Sequence, residues 1–242
     1  MRLLWLEDVL KAAGLNVKTQ DGWRQRGSDS LDPRIIVDHH TASAQTGPNP
    51  SLGIVTNGRG EPNPVPGPLC NLLTGRDGTV WVIASGVSNN AGVGKWPPYD
   101  ASHNRHTIGH EVEHAGTSAE PVRPEMLDVI ARVDAAICKH LGWTADRCIA
   151  HKEWAPKRKV DPYWSQDAHR ALVAALLKPP PVDPGVSHMD FIEAHDAVRA
   201  AYQDAYGHGG DGEGRVFWTD KLMREGFAGW AELVRALLPK GD

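Results

Sequence analysis

The chain has 242 residues, a formal net charge of −4 and 40% hydrophobic residues. That length and apolar share suit one well-buried domain of about 150 residues plus something small. The slightly acidic balance, with no block of Lys or Arg forming a basic stripe, excludes nucleic acid as the main partner and leaves attraction to an anionic polymer to local patches.

In chain order, Leu3, Leu4, Leu6, Val9, Leu10 and Ala13 recur at helical spacing before Gly14, which predicts an amphipathic helix with a Gly cap, packed on the core. Arg2, Glu7, Asp8 and Lys11 interrupt the same stretch. It therefore lacks the unbroken apolar core of a secretory signal and is too short and charged to span a bilayer, so neither export by a signal peptide nor membrane insertion is expected. The β-branched run Ile35-Ile36-Val37 reads as a short buried strand ending in the polar residues Asp38, His39 and His40. A Gly- and Pro-rich stretch from Gln45 to Gly67 follows. Residues 79–84 and 107–112 read as further strands, while 125–141 places Leu127, Ile130, Val133 or Asp134, Ile137 and Leu141 on one helical face. Trp164 to Leu177, rich in Ala and Leu, reads as another helix. Such a mixture predicts an α/β fold, a mixed central sheet flanked by helices.

Pro179, Pro180, Pro181 and Pro184 mark a boundary, because a proline run enforces extended geometry and acts as a semi-rigid spacer. The predicted organisation is a domain over 1–178, a linker over 179–187 and a small helical module over 188–242. In that module Phe217, Trp218, Leu222, Trp230, Leu233, Val234 and Leu237 supply only a minimal core. Cys70, Cys138 and Cys148 are too few for a disulfide framework and fall in no paired spacing, which fits synthesis in a reducing compartment.

The densest chemistry lies in residues 150–162, where His151, Lys159 and Asp161 share a short segment whose prolines, Pro156 and Pro162, predict a loop rather than a helix. Catalytic zinc takes three protein ligands and keeps a fourth position open. His151 and Asp161 thus lack only a distant third ligand, for which the pair His39-His40 is the obvious donor. In an extended segment Lys159 and Asp161 share a face, so an ammonium and a carboxylate point at one small volume.

With these residues in view, the chain resembles the zinc-dependent N-acetylmuramoyl-L-alanine amidases of the type 2 group, which includes peptidoglycan recognition proteins and many phage endolysins. The resemblance rests on His39-His40-Thr41-Ala42, on Asn104 to Glu111 with its Thr107-Ile108-Gly109, and on His151, Lys159, Asp161 and Pro162. Gly75-Arg76-Asp77-Gly78 is similar to the family's strand-turn-strand. All lie in order within residues 34–165. The resemblance implies zinc held by His39, His151 and Asp161, with His40 a mere neighbour, Glu111 as general base and then acid, and Lys159 stabilising the oxyanion. Glu113, two residues on, is a competing base. Where some relatives carry a catalytic Tyr this chain has Cys70, and where many have His-Ala-Gly it has Asn90-Ala91-Gly92.

The resemblance further implies bacterial peptidoglycan as substrate and cleavage between N-acetylmuramic acid and L-alanine. A signal-less amidase joined by a proline linker to a small module, either cell-wall binding or purely structural or dimerising, is the layout of a phage endolysin, held in the host cytoplasm until a holin opens the membrane. A non-catalytic peptidoglycan-binding protein of the same fold is the alternative. A metallopeptidase of the stem would share the chemistry, but the chain lacks a His-Glu-x-x-His helix.

Overall fold

The computed structural model describes residues 1–44 and 46–178, which fall in one compact unit, Met1–Lys178. The expected linker over 179–187 and helical module over 188–242 lie outside the described residues.

Eight strands and five helices follow the chain: α1 Leu6–Ala12, β1 Val17–Thr19, β2 Ile35–His40, α2 Leu52–Asn57, β3 Gly58–Arg59, β4 Val65–Pro66, β5 Leu72–Thr74, β6 Val80–Val82, β7 Thr107–Val112, α3 Pro124–Leu141, β8 Cys148–Ala150, α4 His151–Trp154 and α5 Gln166–Leu177. Six strands form one mixed sheet in the order β1-β6-β5-β7-β2-β8, with β3 and β4 paired separately. The block β5-β7-β2-β8 is parallel throughout. The β5–β6 hairpin turns at Gly75 to Gly78 and runs antiparallel, and β1 lies parallel to β6. The expected mixed sheet flanked by helices is what the chain forms.

Strand alternation decides what each face of the sheet meets. On β2, Ile36 joins a core cluster with Leu3, Leu6 and Leu10 around α1 and with Val133 and Ile137 of α3. Ile35 and Val37 point the other way, into a second cluster with Ile149, Ala91 and Trp154. Because side chains alternate with period two, His39 belongs to the face of Val37, and Asp38 to the helix face. On β8 the same rule sends Cys148 into the helix-side core and Ile149 to the opposite side.

One expectation from the sequence is corrected. Residues 150–162 are not loop throughout, since His151–Trp154 closes a single α-helical turn in the four residues before Pro156 can interfere. The three cysteines are free thiols, as their number and spacing suggest, and two of them are neighbours: Cys138 near the end of α3 and Cys148 on β8 are both buried, with Sγ atoms 3.6 Å apart. The chain reverses between them at Gly142, whose φ of 67° is left-handed, as expected for a glycine that ends a helix. At the other end of the chain, the predicted N-terminal helix does pack on the core, burying Leu3, Leu6 and Leu10.

Candidate metal and catalytic centre

Three adjacent strand ends build the site. In the β2–β7 register His39 stands opposite Glu111, and in the β2–β8 register Asp38 stands opposite Ala150, so His151 follows on the level of His39. His39 shares a face with Val37, Glu111 with Gly109, and His151 with Ile149. All three side chains therefore emerge on one side at the carboxyl ends of parallel strands, the place where open α/β sheets form their sites.

The fourth residue comes from the segment after α4. Asp161 is brought back by its own carbonyl, which accepts from the Lys152 N–H at 2.7 Å, while Lys152 Nζ donates to the carbonyls of Pro162 and Trp164 at 2.7 and 3.0 Å. Glu153 ties the same turn down, its carboxylate taking the Ala150 N–H at 2.8 Å and both guanidinium arms of Arg170. Sequence reading missed Lys152 and Glu153 because their work is done on main-chain and helix partners with no motif of their own.

His39 Nδ1 and His151 Nδ1 lie 2.8 Å apart, and Asp161 Oδ2 is 3.2 Å from the first and 3.0 Å from the second. Two ligands of a tetrahedral zinc sit roughly 3.3 Å apart, given bonds of about 2.0–2.1 Å, so the three donor atoms are spaced as a small cation requires. His151 Nε2 faces the Ala91 carbonyl at 3.2 Å. A proton on Nε2 leaves the Nδ1 lone pair directed at the centre, the usual second partner of a metal-binding imidazole. Burial pulls the His151 imidazole down to about 4, with Asp161 opposing and His39 adding to the fall, so the ring is neutral near pH 7. Burial opposes charge on Asp161, but hydrogen bonds from His151 and His39 hold its carboxyl well below the usual range. Burial opposes charge on His39, but Asp161, Glu111 and Asp38 raise its ring, so the neutral imidazole beside an ionised carboxylate that zinc takes is supplied by His151 and Asp161.

His40, the other half of the pair, points elsewhere, with its ring centroid 6.1 Å from that of His114 and Gly116 packed against it. Glu111 has one buried carboxylate oxygen, Oε2, without a hydrogen-bond partner. Burial raises it to about 7, with His39 and Lys159 pulling down and Asp161 and Glu113 pushing up. Lys159 lines the same groove, which has a volume of about 640 Å³.

Glu113, the competing base by sequence, sits in a different environment. It is 1% exposed, and its carboxylate accepts from Thr41 Oγ1 (2.9 Å), Ser43 Oγ (2.6 Å), the Ser51 N–H (2.7 Å) and Ser51 Oγ (3.0 Å), with Arg76 3.8 Å away. A carboxylate so engaged fastens the segment after β2 to α2. Glu113→Gln presents an amide to donors that need an acceptor, and is expected to cost about 1–3 kcal/mol of stability in denaturant titration while the rate per folded molecule changes little.

Cys70, at the position of some relatives' Tyr, is buried among Val55, Leu73 and Ile83, and burial pushes its thiol well up. The Asn90-Ala91-Gly92 segment does reach the groove. Asn104 Oδ1 accepts from the Ala91 and Gly92 N–H groups at 3.0 and 2.6 Å, which fixes the carbonyl that holds His151. Gly109 has a packing reason: a Cβ there would lie 2.5 Å from Asn90 Cβ. The Gly- and Pro-rich stretch supplies α2 and the β3–β4 pair, and Arg59, Pro64, Val65 and Pro66 form part of the groove wall.

An open α/β sheet with a His–His–Asp cluster and an unpartnered carboxylate at its strand ends defines a hydrolase-type centre. Residues 29–164 match the N-acetylmuramoyl-L-alanine amidase family, and the chain belongs to that family of enzymes. No curated protein matches it. Among solved structures it is similar to a selenomethionine derivative of AmpD, with 20% identity and a TM-score of 0.51 over 66% of this chain and 94% of that one. It also aligns with the endolysin amidase LysCS from Clostridium intestinale URNW, at 18% identity and TM-score 0.45 over 64% and 93% of the two chains. A third match is AmiD from E. coli, solved with anhydro-N-acetylmuramic acid-L-Ala-D-gamma-Glu-L-Lys, at 18% identity and TM-score 0.46 over 90% and 95%. Among the described residues no helix is long and apolar enough to cross a membrane.

Proposed function

We propose that the chain is a zinc-dependent peptidoglycan amidase that hydrolyses the bond between N-acetylmuramic acid and the L-alanine of the stem peptide, in the role of a phage endolysin. The observation that carries this reading is the convergence of His39, His151 and Asp161 beside Glu111 at three neighbouring strand ends. His39, His151 and Asp161 would hold the zinc, which when bound would supply Lewis acidity toward water and the scissile carbonyl. Glu111 takes the proton of the attacking water and passes it to the leaving alanine nitrogen, a double task suited to a carboxyl raised to about 7. Lys159 places its ammonium against the oxygen that gains charge as the carbonyl becomes tetrahedral. Water adds to the carbonyl carbon, the C–N bond breaks, and the products are a muramic acid carboxylate and a free stem amine.

Mass spectrometry of digested peptidoglycan tests the reaction. Intact glycan strands with free stem peptides are expected, new reducing ends would point to a glycosidase, and intact wall with bound protein would favour the binding-protein alternative. The choice between neighbouring imidazoles is tested by metal analysis: His39→Ala is expected to lose about one equivalent relative to the parent, and His40→Ala to lose none. The organisation proposed is a catalytic domain over 1–178, a linker over 179–187 and a module over 188–242 that raises the local concentration of enzyme at an insoluble substrate. A chain ending at Lys178 is then expected to stay folded and to cleave soluble muropeptides. Aggregation of that truncated chain, or loss of activity on small substrates, would show that the tail belongs to the core.

A further inference from the structure

Behind the catalytic face, at the same level of the sheet, lies a second group of buried ionisable residues. Asp38 and His110 are register partners on β2 and β7, one position before His39 and Glu111, and their side chains enter the helix side. There they meet Asp134 of α3 and His169 of α5, and all four are at most 1% exposed. An apolar core would normally fill this layer, so two carboxylates facing each other without water need a compensating positive charge.

The arrangement around that charge is specific. His110 Nδ1 is 3.1 Å from Asp134 Oδ1 and 3.5 Å from Asp38 Oδ1, close to the spacing of the three donor atoms on the catalytic face. Each of the three residues has its remaining polar atom held from outside the cluster. His110 Nε2 meets Thr74 Oγ1 at 2.8 Å, Asp134 Oδ2 meets His169 Nε2 at 2.7 Å, and Asp38 Oδ2 accepts from Gln166 Nε2 at 2.5 Å. What is left is one inward atom per residue: His110 Nδ1, Asp134 Oδ1 and Asp38 Oδ1. Asp38 Oδ1 is buried with no hydrogen-bond partner at all. Three convergent donors, each oriented by its own outer partner, are how metal sites are built.

We propose that Asp38, His110 and Asp134 form a second divalent-cation site, of the zinc class by its one-imidazole, two-carboxylate donor set, closed to solvent and structural in role. The ion would join β2 and β7 to α3, and through the His169 and Gln166 contacts to α5, directly behind the strands that carry His39 and Glu111. This inference stands apart from the amidase reading and does not require it. The competing arrangement has no ion and protonated imidazoles: burial opposes charge on both rings, but Asp134 and Asp38 raise His110 to about 9 and raise His169 as well, whose Nε2 is 2.7 Å from Asp134 Oδ2 and 3.5 Å from Asp38 Oδ2.

Metal counting on the full chain separates the two. Protein purified with zinc and freed of excess metal is expected to hold two equivalents in the parent. His151→Ala, which breaks the catalytic set, is expected to retain one, and the double variant His151→Ala with Asp134→Asn to hold none, with folding followed by circular dichroism. Should Asp134→Asn not fold, His110→Gln takes its place. Chelator added to His151→Ala is expected to lower its melting midpoint. One equivalent in the parent and none in a folded His151→Ala, with melting indifferent to chelator, would overturn the site in favour of the protonated imidazoles. So would an ion that persists in the folded double variant, since it would sit elsewhere. Loss of amidase activity bears on neither outcome.

Discussion

Glu111→Gln is expected to release stem peptides about a hundredfold or more slowly than the parent, within the usual range for losing acid–base assistance, while keeping its metal. The amide matches the carboxylate in size, and no side chain hydrogen-bonds the buried Oε2, so the fold loses little. The pH profile adds a second reading. A carboxylate that must be ionised to accept a proton gives activity that falls as pH drops through its pKa. The acid limb of kcat/KM is therefore expected at or below about 7, because burial sets that value without a metal and a cation on His39 would pull it lower. The limb should vanish in Glu111→Gln. Equal rates for parent and variant on one peptidoglycan preparation would move the base elsewhere.

His151→Ala has the other large effect expected. It removes one of two nitrogens at the centre and leaves His39 and Asp161 facing a gap. Lewis-acid assistance is worth several kcal/mol, so a loss of roughly a thousandfold in kcat/KM is expected. Unlike Glu111→Gln, this variant should also lose about one equivalent of metal. Measuring metal content and rate on both variants separates a lost base from a lost ligand. If His151→Ala kept both its metal and its rate, the ligand set would be wrong.

Much of this was legible because the central strands carry strong local signals. Ile35 to Val37 announced β2, and the 107–112 and 125–141 readings fall on β7 and α3 almost to the residue. The three candidate ligands and Glu111 were singled out by motif, and the sheet brings them together. Other parts were hidden for physical reasons. β1, with three residues, is too short for periodicity to show. Prolines at 156 and 162 forbid a long helix yet leave room for the one turn of α4. The face of α3 was ambiguous between Val133 and Asp134, and both turn out buried, the first in the core and the second against His110 and His169. Alternation placed Glu113 on the side of Glu111 but said nothing of the three hydroxyls waiting for it. Ala91 holds His151 through a carbonyl, and a main-chain atom leaves no mark in a sequence.

The place of β8 bears on how the donor set is completed. It is the last strand among the described residues and sits at the sheet edge beyond β2, yet it delivers His151 to a partner 112 positions earlier. The part of the chain up to Arg147 contains His39 and Glu111 on paired strands. It has neither of the other two donors, and the anchors Lys152 and Glu153 that fix Asp161 are still to come. The donor set His39, His151 and Asp161 is therefore complete only when the segment from Cys148 to Trp164 is docked. A single peripheral strand thus carries the connection that brings two donors, 151 and 161, to a third at position 39.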